Sequence, residues 1–179
     1  MKVTKEHTYP RWLHRALNIR GDITFSSDGV PVRVAKELDI QLRAVCRTCN
    51  EGWLHDLERA FRAVMLLPLN GFGPIYMPKP VQLVIALWAV KTWLLLEQTL
   101  AFVRGDKALE PQPQLFRWLQ ERNEPPRNIQ VWIGGVDAGA AKLISFVATR
   151  YVGRPPSPPV GITGVFTIGY VLFQVYVPI

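Results

Sequence analysis

The spacing of hydrophobic positions changes along the chain, and each change marks a different kind of element. The runs "DITFSS" (22–27) and "VPVRVAKELDIQLRAV" (30–45) are rich in Ile, Val, Thr and Phe. Asp28-Gly29 between them is a favoured hairpin turn, so the pattern predicts an antiparallel strand pair. From Asn50 the period lengthens: Trp53, Leu57, Phe61 and Val64 recur at three and four, with Glu51, His55, Asp56, Glu58, Arg59 and Arg62 on the opposite face. This predicts an amphipathic helix with Asn50 as its N-cap and an end near Pro68.

"NGFGPIYMPKP" (70–80) reads as a loop by its Gly and Pro content and divides the chain into 1–70 and 71–179, two parts of one compact body. A long apolar helix follows from about Val81 to Val103, then a shorter one around "QPQLFRWLQERN", where Leu115, Trp118 and Leu119 share a face. Beyond it the period becomes that of strands. "NIQVWIGG", "AKLISFVATRYVG" and "GVFTIGYVLFQVYV" are β-rich and separated by turn signals, including the loop "RPPSPPVG", which predicts a C-terminal antiparallel sheet. The fold class expected is α+β, and no repeat of 20 to 50 residues is visible.

Composition adds that 179 residues with 49% hydrophobic and 20% charged side chains suffice for one sizeable core, which most of the six Trp should help to fill. The segment 81–103 has the length of a membrane span, but Lys91, Glu97 and Gln98 inside it favour a buried helix of a soluble protein. Lys91 there could reach a phosphate, although a lysine snorkelling at the core edge is the more usual role. The N-terminus "MKVTKEHTYP" lacks the apolar stretch of a signal peptide, so a cytoplasmic protein without membrane partners is expected. A net charge of +7 favours phosphate-rich partners.

Two short stretches carry candidate chemistry. Near the start, Glu6 and His7 stand side by side ahead of Tyr9, Pro10 and Trp12; further on, Cys46 and Cys49 form a C-x-x-C followed directly by Asn50. A closed zinc site needs four ligands and these are the chain's only cysteines, so they amount to half of one. A thioredoxin-like role lacks its βαβ setting, and two reduced thiols are expected. Arg43 and Arg47 flank the knuckle as candidate phosphate contacts. His14 and His55 read as solvent-facing.

Taken together, "EH-x-x-P-x-W-L", a strand pair and "VCRTCNEGW" opening a helix resemble the HNH nucleases, the ββα-metal or His-Me finger family, in the branch whose last metal ligand is Asn. The match runs over residues 4 to 60. The resemblance implies an N-terminal ββα-metal-like unit with His7 as general base. Glu6, where the family usually has Asp, and Asn50 would ligate one Mg²⁺ or Mn²⁺, Pro10 and Trp12 would anchor the turn that aims His7, and Cys46 and Cys49 would be a zinc-knuckle remnant. The sequence departs from the family in having only five residues before Glu6, with no earlier C-x-x-C, and in offering only Asn18 between His7 and Asn50 as a middle Asn. A stoichiometric structural zinc is therefore not expected. The function implied is a metal-dependent endonuclease on double-stranded DNA, as monomer or homodimer. The alternative is a catalytically degenerate HNH-like protein that acts as a nucleic-acid- or protein-binding, or inhibitory, module.

Overall fold

The computed structural model describes residues 3–19, 23–27, 30–35, 41–104, 113–137, 145–152 and 161–178. The elements in the N-terminal part are β1 (Val3–His7), α1 (Arg11–Ala16), β2 (Ile23–Ser27), β3 (Val30–Ala35), β4 (Gln41–Cys46), α2 (Arg47–Cys49), a π-helical turn (Asn50–Leu54) and α3 (His55–Leu69). They are followed by α4 (Lys79–Arg104), α5 (Pro113–Arg122), β5 (Gln130–Gly135), β6 (Ser145–Val152), β7 (Gly161–Ile168) and β8 (Val171–Pro178). The protein is α+β, with antiparallel sheets.

β2 and β3 pair as the pattern predicts, Ile23 opposite Ala35 and Ser27 opposite Val30; the Asp28-Gly29 turn lies outside the described residues. The remainder of the 30–45 run behaves differently. Its last part is β4, which pairs not with this hairpin but with β1, Val3 opposite Cys46 and His7 opposite Gln41. β1 was invisible to a hydrophobic pattern because its inward position is filled by Glu6, a buried charge where an apolar residue would ordinarily mark the core face.

Asn50 is not the N-cap of a helix. The chain is already helical from Arg47, and Cys46 occupies the cap, its Sγ accepting the Cys49 N–H at 3.1 Å. A kink at Gly52 (φ −103°, ψ −111°) interrupts the π-helical turn before α3. α3 carries Pro68 in its last turn and ends at Leu69. Leu57, Phe61, Met65 and Leu69 form its buried stripe. Of the charged face predicted opposite, Glu58 is the exception, half-buried and turned toward α4.

α4 is buried through every position from Leu87 to Leu96, as befits a helix apolar all round. By length and composition its Lys79–Thr99 stretch could cross a membrane, yet 61% of that window is enclosed by the protein itself. On α5, Leu115 and Leu119 are buried but Trp118 is 41% exposed, its ring covered by the Arg122 guanidinium at 5.4 Å. The final sheet runs β5-β8-β7-β6, all antiparallel. The run 164–177 is two strands, split by a turn at Gly169-Tyr170; the "RPPSPPVG" loop lies almost wholly outside the described residues. Gly169 has φ 56°, and any Cβ there would collide with the Leu69 carbonyl. That close approach lets the Tyr170 N–H bond Leu69 O at 3.1 Å, fastening the sheet to the end of α3.

An aromatic column crosses the whole body. Trp12 of α1 tilts against Phe61 of α3 at 6.3 Å, Phe61 stacks on Trp88 of α4 at 3.7 Å, Trp88 meets Phe173 of β8 at 5.8 Å, and Phe173 stacks on Phe166 of β7 at 5.0 Å. One hydrophobic cluster thus draws on both sides of the 70–80 loop. Phe61 is central and fully buried. Phe61→Ala should lower unfolding free energy by about 3–5 kcal/mol in urea titrations. A loss below 1 kcal/mol would mean the column does not organise the core.

Candidate functional site

Strand alternation sends Glu6 and His7 to opposite faces of β1, and the register of the β1–β4 ladder extends this to its partner. Glu6 faces the interior, opposite Leu42; Lys5 and His7 face outward, opposite the positions of Arg43 and Gln41. The two residues adjacent in sequence are therefore separated in space by the strand itself.

Inside, Glu6 is 5% exposed and Lys91 of α4 wholly enclosed, so neither a snorkelling nor a phosphate-contacting Lys91 is observed. The Lys91 ammonium donates to a Glu58 carboxylate oxygen at 2.9 Å and pairs with Glu6 at 3.4 Å. A buried ion is tolerated only when paired, and here one cation serves two carboxylates on separate elements. The consequences differ for the partners. The Glu6 carboxyl is pushed above its ordinary 4.5 chiefly by burial, with the attraction of Lys91 opposing and the charge of Glu58 adding. For Lys91, burial works against the charge, but Glu58 and Glu6 outweigh it and hold the ammonium above its ordinary 10.5. Glu6 thus takes up a proton at higher pH than an ordinary carboxyl, while Lys91 keeps its charge.

Outside, His7 is half-buried and held by side chains. The Arg11 guanidinium donates to His7 Nε2 at 3.2 Å, and Gln41 Nε2 lies 3.2 Å from the same atom. Since arginine only donates, Nε2 carries the lone pair and the proton of a neutral ring sits on Nδ1. Pro10 is buried and precedes α1, while Trp12 packs on the core under Arg62, whose guanidinium lies 5.7 Å from its ring. Asn50 reaches the same ladder from the helical side. Its carboxamide N–H groups donate to Lys5 O at 3.1 Å and Thr4 Oγ1 at 3.3 Å, two residues short of His7.

The knuckle lies beside Asn50. Cys46 and Cys49 place their sulfurs 2.7 Å apart, and Cys49 Sγ lies 3.4 Å from Gln120 Oε1 on α5. The hydrogen bond from Cys49 lowers the Cys46 thiol, whereas burial and that same bond raise Cys49. Among the described residues no three His, Cys, Asp or Glu side chains are grouped to hold a metal. Arg47 is exposed and paired with Glu51 at 2.7 Å, and Arg43 occupies the outward register position opposite Lys5. His14 is half-buried on α1 and His55 exposed on α3.

Of the sequence-derived set, the structure brings His7 and Asn50 to one ladder and sends Glu6 to the opposite side of β1 from His7. Sequence reasoning missed Arg11, Gln41 and Glu58. Arg11 was visible as a basic residue four positions after His7, but the partnership depends on a turn between strand and helix that periodicity does not encode. No family model, curated protein or solved structure matches the chain.

Removing the ammonium would strand two carboxylates, so Lys91→Met should cost about 3–5 kcal/mol near neutral pH. The sign with pH follows from Glu6: its raised value means the fold holds a proton that the unfolded chain releases above 4.5, so its contribution is present below that pH and declines as pH rises. In Lys91→Met this dependence steepens, and urea unfolding should show the deficit shrinking on acidification. A deficit that is constant across the acidic range, or absent, would contradict the ion set.

Proposed function

We propose that the outward face of the β1–β4 ladder is a contact surface for the phosphate backbone of nucleic acid, in a chain that keeps an HNH-like layout and uses it for binding. The observation that carries this reading is the ladder register. It places Lys5, His7 and Gln41, with the position of Arg43, on one side and turns the only carboxylate of β1 into the core. Arg11 adds an exposed guanidinium beside His7, and Arg15 is exposed on the same short helix. Phosphate contacts by such groups fix a duplex in place without reading its sequence. A phosphate oxygen approaching Arg11 would share it with His7, and Gln41 supplies a second donor at the same point.

The donor set does not fit Mg²⁺ or Mn²⁺. These ions favour several oxygen ligands, usually including a carboxylate. Glu6 is committed to Lys91 and His7 Nε2 sits under a guanidinium, so the oxygens left beside His7 are the neutral ones of Gln41, Asn50 and Thr4, with no carboxylate among them. Binding is the function this arrangement supports best.

Fluorescence polarisation with mixed-sequence duplex DNA should give a dissociation constant of about 10⁻⁴ to 10⁻⁶ M at physiological salt, weakening steeply as salt rises. Lys5→Ala and Arg11→Ala should each weaken binding evenly across sequences and reduce the salt slope by about 1. Binding insensitive to salt, or unchanged by both variants, would sink the proposal. Plasmid nicking with Mn²⁺ that vanishes in His7→Ala would instead establish the hydrolytic reading.

A further inference from the structure

We propose that Cys46 and Cys49 form a reversible dithiol–disulfide site, oxidised by low-molecular-weight disulfides of the glutathione class. Their sulfurs stand 2.7 Å apart, between the length of an S–S bond, about 2.05 Å, and an ordinary contact of two sulfur atoms. The turn holding them is already set: Cys46 ends β4, Cys49 ends the three-residue α2, and the Cys49 N–H bonds Cys46 Sγ at 3.1 Å. Bond formation therefore needs little backbone movement. The knuckle also lies at the surface, since Arg47, Thr48 and Glu51 are exposed; Cys49 is half-buried and Cys46 buried, so Cys49 is the sulfur open to a small disulfide. No other cysteine exists in the chain to compete for either sulfur.

The chemistry balances in two exchanges. The Cys49 thiolate attacks one sulfur of the small disulfide, forming a mixed disulfide and expelling one thiolate, which takes a proton from solvent. Cys46 then gives up its proton to solvent and attacks Cys49 Sγ, closing the internal S–S bond, breaking the mixed disulfide and expelling the second small thiolate, which is protonated to a thiol. Two protein thiols are oxidised and one small disulfide is reduced to two thiols. The site adjoins Asn50, whose side chain ties this turn to Thr4 and Lys5 of β1, so oxidation acts at the point where the helical segment is fastened to the ladder.

The test equilibrates the full-length chain in buffers of varied reduced-to-oxidised glutathione ratio, quenches in acid, alkylates free thiols and weighs the protein. The expected result is a monomer that loses both alkylation sites together, lighter by two hydrogens before labelling, and regains them when the ratio is reversed. Cys46→Ser should accumulate the Cys49 mixed disulfide with glutathione, because the resolving thiol is gone. Two alkylated thiols at every ratio, a disulfide-linked dimer, or a wild-type glutathione adduct that never closes would each overturn the proposal. None of these outcomes depends on whether the chain binds nucleic acid.

Discussion

A single ammonium inside an apolar helix joins three elements that are distant in sequence. Lys91 on α4 reaches Glu58 on α3 and Glu6 on β1, and an apolar side chain in place of Lys91 would leave both carboxylates without their cation. β1 has few other claims on the interior. With Glu6 bound, its register against β4 is fixed, because slipping by one residue would bring His7 inward and put the carboxylate in solvent. The outward face is thus a consequence of what happens inside.

The hydrophobic core supplies the frame against which that constraint acts. The column from Trp12 through Phe61 and Trp88 to Phe173 and Phe166 links α1, α3, α4 and the final sheet, and the Gly169 turn lets Tyr170 fasten the sheet to Leu69. Trp12 bears on the site directly. It seats α1 on the core, and α1 presents Arg11 to His7. A charged set aligns β1 and an aromatic set aligns α1, so the His7–Arg11 contact depends on both.

Elements that bury apolar residues at a regular period were legible from sequence. The hairpin of β2 and β3, the stripe on α3, enclosed α4 and the C-terminal strands all follow from spacing. What was illegible shares a cause, which is that polar groups performed tasks the pattern assigns to apolar ones. β1 buries Glu6, so it showed no alternation. Cys46 rather than Asn50 caps the helical segment, because a sulfur can accept an N–H that the sequence suggested an amide would take. Glu58 looked like part of a solvated face, and only the approach of α4 reveals it as the partner of Lys91. Similarly, adjacency of Glu6 and His7 suggested a shared task, whereas a strand separates neighbours by design.

The direct test of this account is a ¹³C NMR titration of the Glu6 carboxyl, assigned by Glu6→Gln, with and without Mg²⁺. A Glu6 paired with Lys91 in the core should titrate above the ordinary 4.5 and its resonance should not move when Mg²⁺ is added. A Glu6 that titrates at or below that value and shifts with Mg²⁺ would place the carboxylate beside His7, as a metal ligand, and contradict the inward arrangement on which the rest depends.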